Sequence, residues 1–170
     1  MLERFYPVEE RASTYEIPFE ELFRQGYRGV IFDIDNTLVP HNAPADQRAK
    51  ALFARLGRLG FQSCLLSNNQ EPRVKAFAEA VKTQYIFKAG KPAVRGYQAA
   101  MERMHTSREE TLFVGDQLFT DIWGANRAGI RTVLVKPLHP KEEIQIVLKR
   151  YLERIVLYFY RRRRQEKGQD

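Results

Sequence analysis

Two aspartates spaced i, i+2 follow directly on the apolar run Gly29-Val30-Ile31-Phe32, in the stretch Asp33-Ile34-Asp35-Asn36-Thr37. A hydrophobic run that breaks into carboxylates reads as a buried strand delivering acids to its C-terminal tip. Residues i and i+2 of a strand share a face, so Asp33 and Asp35 start on one side and can converge as the strand opens into a loop. Carboxylates forced together repel, and one of them takes up a proton unless a cation shares the site. The pair therefore marks either a divalent-metal site or an acid/nucleophile pair. The plain alternative is a strand ending in a capped turn, since Asp, Asn and Thr all favour turns and helix N-caps.

Other chemistry-bearing residues stand at the ends of later apolar runs. Ser67-Asn68-Asn69 follows Phe61–Leu66, Lys91 closes Lys88-Ala89-Gly90-Lys91, and Gly115-Asp116 follows Thr111–Val114 with Asp121 five residues on. Each has a bland counterpart as a turn, a cap or a loop lysine, but those would all have to hold together at successive strand ends. Acids, hydroxyl and amide donors and a cation on one rim suit phosphoryl transfer through a metal ion. The acids offer hard oxygen ligands of the kind Mg²⁺ accepts. Ser67 can donate to a phosphoryl oxygen, and Lys91 can neutralise charge that builds in the transition state. Unaided phosphomonoester hydrolysis calls for accelerations of up to ~10²¹-fold, and one acid–base pair supplies only about 10²–10⁴. Nucleophile, cradle and metal are needed together.

The elements that must position these residues follow from periodicity. A short helix is expected at about Phe19–Gln25, and strand 1 at Val30–Asp35. The apolar spacing of Ala49, Leu52, Phe53, Leu56 and Leu59 predicts a helix over 45–59, ended by Gly60. Strand 2 is read at Phe61–Ser67, a helix from Pro72 through Val81, strand 3 at Tyr85–Phe87, and a helix over 93–104. Strand 4 at Thr111–Gly115, a helix over 119–128, strand 5 at Arg131–Val135 and a long helix from about Lys141 complete the chain. Strand–helix alternation with short connections is the pattern of a five-stranded parallel sheet with helices on both faces, a Rossmann-like three-layer α/β sandwich. Ligands in such sheets bind at the C-terminal ends of the strands. One domain is expected over 1–170, with a lead-in (1–28), a core (29–140) and a C-terminal basic amphipathic helix and tail (141–170).

On these residues the chain resembles the haloacid dehalogenase (HAD) superfamily of aspartate-nucleophile phosphatases. Asp33-x-Asp35-x-Thr37 is similar to its first motif, Ser67 to its second, Lys91 to its third and Gly115-Asp116…Asp121 to its fourth. More narrowly, Phe32 through Val39, Ser67-Asn68-Asn69, Lys91-Pro92, Gly115 through Asp121 and Asn126-Arg127-Ala128-Gly129 resemble the YqeG branch (capless, subfamily IIIA). That branch is similar to the mitochondrial-type phosphatidylglycerophosphate phosphatases. The resemblance implies a HAD-like fold with Asp33 as nucleophile and Asp35 as the acid that protonates the leaving oxygen and then activates water. It implies Mg²⁺ held by the Asp33 carboxylate, the Asp35 backbone carbonyl and Asp116, with Asp121 as a ligand or beside one. Thr37, Ser67, Asn68 and Lys91 are the candidates for binding the substrate phosphate. About thirty residues separate Thr37 from Ser67 and about two dozen separate Ser67 from Lys91. Both intervals are used by core elements, so no cap domain fits and the site is expected to lie open.

Composition bounds the rest. At 170 residues, with 44% hydrophobic and 29% charged residues, the chain can bury a core without disulfides or a structural metal. Its one cysteine, Cys64, excludes an internal disulfide framework and fits a reducing interior. No signal peptide and no bilayer-spanning run is read, so a cytoplasmic location is expected, with the inner membrane face as a peripheral alternative. The net charge of +7 is concentrated near the C-terminus, in Lys149, Arg150, Arg154 and Arg161–Arg164, and invites an anionic partner. Ile144, Val147, Leu148, Tyr151, Leu152, Ile155, Tyr158 and Phe159 form an apolar stripe on the same helix. Such a stripe either docks on the sheet, the reading favoured for the first half of the helix, or contacts a membrane through aromatics beside a basic head. The expected substrate is a phosphorylated molecule, with the membrane lipid phosphatidylglycerophosphate foremost and a soluble or protein phosphate as the alternative. A non-catalytic RNA- or protein-binding module is the reading from another class. Nucleic acid is not expected, since no recognisable binding module accompanies the basic tail. Of the histidines only His41, near the first motif, is close enough in sequence to reach a substrate.

Overall fold

The computed structural model of the chain describes residues 1–139 and 144–167, the side chains of 144–147 excepted. The elements in order are β1 (Glu9–Arg11), α1 (Phe19–Arg24), β2 (Gly29–Phe32), α2 (Gln47–Leu59), β3 (Gln62–Leu66), α3 (Glu71–Val81), β4 (Gln84–Ile86), α4 (Val94–Met104), β5 (Thr111–Gly115), α5 (Trp123–Arg127), β6 (Arg131–Val135) and α6 (Ile144–Lys167). Single 3-10 turns lie at Leu2–Phe5, Thr14–Glu16 and Arg108–Glu110. The strands line up as β1-β6-β5-β2-β3-β4, and all neighbours are parallel. β2 sits inside the sheet, and the chain runs outward from it in opposite directions through β3 and through β5. That reversal places the tips of β2 and β5 at a topological switch point.

Alternation along the strands divides the core in two, as period-2 geometry requires. Val30, Phe32, Leu65, Leu112 and Val114 pack on one face against α1, α2 and α3 through Phe19, Leu22, Leu52, Phe53, Leu56, Val74 and Phe77. Ile31, Cys64, Leu66 and Phe113 pack on the other against Tyr97, Ala100 and Met104 of α4 and Ala125 of α5. The three layers and the helical stripes predicted for α2 and α3 are present. Asp46 starts α2 by accepting the Ala49 N–H at 2.7 Å, and Gly60 ends it at φ 101°.

The sheet has six strands rather than the expected five. The extra one, β1, lies in the lead-in and pairs with β6 at the edge. Its sequence, Glu-Glu-Arg, has no apolar alternation, because a short edge strand needs only backbone pairing and benefits from charge. Polar contacts hold it: Arg131 donates to Glu9 at 3.0 Å, and the Thr132 hydroxyl accepts the Val8 N–H at 3.0 Å. The helix expected over 119–128 is also different, beginning as a π-type turn at Leu118–Ile122 before α5.

α6 docks by a stripe other than the one its sequence suggests. Glu153, Val156 and Tyr160 are buried, and Val156 joins Leu118, Ile122 and Leu134, with Leu2, Phe5, Tyr6 and Leu157 around them. Leu148, Tyr151, Leu152, Ile155, Tyr158 and Phe159 face outward, 46–64% exposed. The expected start of this helix near Lys141 lies outside the described residues, as do the side chains of Ile144 and Val147.

A glycine in α5 carries a tight contact. A Cβ at Gly124 would lie 2.5 Å from the Tyr97 hydroxyl, whose oxygen is within hydrogen-bond distance of the carbonyls of Thr120 and Asp121. Gly124→Ala is expected to lower stability in urea unfolding by about 2 kcal/mol, the cost of overpacking a filled site. Tyr97→Phe, which keeps the ring, is expected to cost about 1 kcal/mol.

Candidate active site

The tip of β2 and the turn after β5 bring three acids together. Asp33, Asp116 and Asp121 are all buried, and each offers a carboxylate oxygen within 4.8 Å of the others. Lys91, on the loop after β4, puts its ammonium between two of them, donating to Asp33 Oδ1 and to Asp121 Oδ1 at 2.7 Å each. The Thr37 hydroxyl lies 3.5 Å from Asp33 Oδ2 and 3.3 Å from Asp116 Oδ1. The π-type turn brings Asp121 inward, and its Oδ2 accepts the Gln117 N–H. A Cβ on Gly115 would lie 2.6 Å from that same Oδ2, so only glycine permits the approach.

Electrostatics follow from this burial. Desolvation, with repulsion from Asp121 and Asp35, pushes the Asp33 carboxyl up to about 6 although Lys91 opposes it. Burial and the neighbouring Asp33 and Asp121 raise Asp116 well above the usual carboxylate range. Burial works to lower Lys91, but Asp121 and Asp33 outweigh it and hold the ammonium charged. Three hard-oxygen donors with this surplus of negative charge fit a divalent cation. Such a metal is general to HAD phosphatases, and Asp33, Asp116 and Asp121 are the residues placed to hold it.

The other sequence-selected residues occupy the same rim in different roles. The Asp35 carboxylate is outside the three-acid group and, unlike those acids, is partly exposed. It accepts from the Asn42 N–H at 2.8 Å, from Arg73 at 3.0 Å and from Asn69 Nδ2 at 3.4 Å. Ser67 is buried, and its oxygen accepts the Asn69 N–H at 3.1 Å. Asn68 grips the backbone of Lys91 from both ends, accepting its N–H at 2.8 Å and donating to its carbonyl at 3.2 Å. His41 Nδ1 stands 4.0 Å from Asp35 Oδ1.

The HAD-hydrolase-like family profile matches residues 88–137. A Bacillus subtilis (strain 168) protein named "Probable phosphatase YqeG" is 34% identical over 165 residues, 96% of each chain. The chain belongs to the YqeG family of HAD phosphatases. Phosphatidylglycerophosphate phosphatase 1 of Arabidopsis thaliana, chloroplastic/mitochondrial, is 31% identical over 86% of this chain, which spans 44% of that longer protein. Among solved structures, the cobalt-bound deoxy-D-mannose-octulosonate 8-phosphate phosphatase of Haemophilus influenzae shares the fold. Its TM-score is 0.53 at 16% identity, covering 65% of this chain and 69% of that one.

Two cations of this HAD phosphatase reach the rim without any sequence signal. Arg73, from α3, pairs with Asp35. Arg150, from α6, donates to both the carboxylate and the backbone carbonyl of Asp116 and to Glu153 at 3.0 Å. Glu153 in turn accepts the Leu118 N–H at 2.8 Å, and burial raises its pKa against the pull of Arg150. Neither arginine sits at a strand end, so only tertiary contact identifies it.

The raised acids set a pH dependence. A carboxyl raised in the fold binds its proton more tightly there than in the unfolded chain. For Asp33 the metal-free protein therefore loses stability as pH rises from its ordinary 3.8 through about 6. A cation that neutralises the cluster removes this penalty where the acids are ionised and competes with protons where they are not. Differential scanning fluorimetry is expected to show a larger Mg²⁺-induced rise in Tm at pH 7.5 than at pH 5. Asp116→Asn is expected to shrink the pH 7.5 rise.

Proposed function

We propose that this protein is a Mg²⁺-dependent phosphomonoester hydrolase that works through an aspartyl-phosphate on Asp33 and dephosphorylates phosphatidylglycerophosphate at a membrane surface. The observation that carries the chemistry is the buried Asp33–Lys91–Asp121 contact beside Asp116, with the partly exposed Asp35 two residues from Asp33. An Asp33 carboxylate oxygen attacks phosphorus, the bond from phosphorus to the alcohol oxygen breaks, and Asp35 gives that oxygen its proton. Asp35 then takes a proton from water, the water oxygen attacks the phosphoryl group, and the acyl-phosphate P–O bond breaks to release inorganic phosphate and the Asp33 carboxylate. Lys91 stays charged beside the reacting oxygens and offsets the growing negative charge. The Ser67 hydroxyl donates to no acceptor among the described residues, so its proton is available to a phosphoryl oxygen. Asp33, Asp116 and the Asp35 carbonyl, with Asp121 alongside, would hold Mg²⁺, which would supply charge neutralisation and polarisation of the phosphoryl group. Asn68 and Thr37 complete the phosphate-binding set and also hold Lys91 and the acids in register.

The lipid substrate rests on the named plant relative and on the outward face of α6. Leu148, Tyr151, Leu152, Ile155, Tyr158 and Phe159 make a continuous stripe at helical spacing, and the helix carries eight Lys and Arg against two Glu. Aromatics and aliphatics flanked by cations suit an anionic interface. No helix among the described residues is long and apolar enough to cross a membrane, which leaves contact by a face.

Asp33→Asn is expected to abolish phosphate release from p-nitrophenyl phosphate and from phosphatidylglycerophosphate in mixed micelles, with an unchanged circular dichroism spectrum. Turnover near that of the parent would remove Asp33 as nucleophile. In a screen with soluble sugar, nucleotide and amino-acid phosphates and a phosphopeptide, the lipid is expected to give the highest kcat/KM, and a preferred soluble or peptide ester overturns the substrate assignment.

The membrane face is checked separately by co-sedimentation with phosphatidylglycerol-containing vesicles. The parent is expected to pellet, and the triple variant Ile155→Ser, Tyr158→Ser, Phe159→Ser to stay in the supernatant. A parent that ignores vesicles yet dimerises by light scattering would assign that face to a second copy instead.

A further inference from the structure

A cavity of about 650 Å³ opens beside the carboxylate cluster, between α6 and the C-terminal ends of β1 and β6. Asp116 belongs to both, so the cavity begins where the candidate metal site ends. Leu134, Val135, Pro137 and Leu157 give it an apolar lining. The acids along its wall are already engaged by arginines: Glu10 by Arg161 at 2.9 Å, and Asp116 and Glu153 by Arg150. Two further lining cations, Lys136 after β6 and Arg154 on α6, are exposed, and their side chains have no hydrogen bond or ion pair with any described residue.

The side of α6 that lines this cavity is distinct from its other two. Arg150, Arg154, Leu157 and Arg161 recur at steps of four, three and four residues, which aligns them along one flank of the helix. That flank lies between the buried stripe of Val156 and Tyr160 and the outward apolar stripe. It begins at Asp116 and borders the face assigned to the membrane.

A phosphoryl group on Asp33 leaves its alcohol outside the carboxylate cluster. The neighbouring cavity offers that alcohol an apolar lining and two positive charges whose side chains are unpaired among the described residues. An alcohol without charge would leave both cations unmatched, whereas a second phosphate would pair with them. We infer that the cavity between α6 and the ends of β1 and β6 receives the leaving alcohol, and that Lys136 and Arg154 bind a second phosphate carried on it. The substrate class is then a phosphomonoester whose alcohol bears another phosphate, either the phosphodiester of a lipid headgroup or the second phosphoryl group of a soluble bisphosphate. The inference rests on the phosphatase reading of Asp33 and adds to it a specificity site outside the catalytic residues.

The test compares three substrates with the full chain and Mg²⁺: p-nitrophenyl phosphate with one phosphate, the deacylated headgroup glycerophosphoglycerol phosphate, and a sugar bisphosphate. The variants are Lys136→Ala/Arg154→Ala and the charge reversal Arg154→Glu, each checked for an unchanged Tm. For the double variant, kcat/KM on p-nitrophenyl phosphate is expected to stay within about twofold of the parent. On whichever doubly phosphorylated substrate the parent prefers, it is expected to fall about tenfold or more, mainly through KM, as loss of charge-assisted contacts predicts. The reversal is expected to fall further. Preference for the headgroup or for the bisphosphate names the source of the second phosphate, and either supports the site. Equal losses on all three substrates, or none, overturn the site while the phosphatase reading stands. A parent inactive on all three and on the intact lipid overturns both.

Discussion

Three buried carboxylates cannot share a few ångströms of protein interior unless positive charge shares it with them. Asp33, Asp116 and Asp121 sit within 4.8 Å of one another. At about 4 Å and an effective dielectric of ~20, each ionised pair would repel by about 4 kcal/mol. Lys91 offsets part of this by bridging Asp33 and Asp121, and Arg150 does so from the other side at Asp116. Burial, with the repulsion that remains, raises the affinity of Asp33 and Asp116 for protons. The cluster is thereby poised between protons and a divalent cation, because the same surplus of negative charge that would attract a metal favours proton uptake in its absence.

Much of the surrounding structure serves to hold that charge arrangement. The Thr14 hydroxyl donates to the Thr37 carbonyl at 2.8 Å, and the Tyr15 hydroxyl to the Leu38 carbonyl at 2.7 Å, so the lead-in buttresses the loop that follows Asp33. Asn68 fixes Lys91 through its backbone. Tyr97 fills the space beneath the π-type turn and reaches the Asp121 carbonyl. Thr14, Tyr15 and Tyr97 need touch no substrate to do this. They restrict where the acids and the ammonium can go, which is how a site with no cap keeps its geometry.

How far the sequence foretold this depends on whether a feature is local. Strands β2, β5 and β6 are short apolar runs whose burial on both faces leaves a legible signature, and the acids that follow β2 and β5 were legible for the same reason. β1 was hidden because an edge strand of charged residues has no period to detect. Asp121 was visible as a residue, but its route inward, a π-type turn allowed by Gly115, was not. Arg150 could not be found at all, since its contact with Asp116 spans 34 residues and comes from a helix face with no motif.

α6 shows most clearly why periodicity underdetermines packing. Its sequence contains two usable stripes, and the larger and more apolar one faces outward. The smaller one wins because the helix is fastened largely by polar groups. Glu153 caps the buried Leu118 N–H, Arg150 satisfies both Glu153 and Asp116, and Arg161 and Arg163 pair with Glu10 and Glu3 of the lead-in. A buried acceptor left without its donor costs more than a few exposed methyl groups, so the polar contacts dictate the rotation of the helix. Once Arg150 must reach Asp116, helical geometry turns Tyr151, Ile155 and Tyr158 away from the sheet. The chemistry at the rim thus determines which apolar surface the protein is left to present.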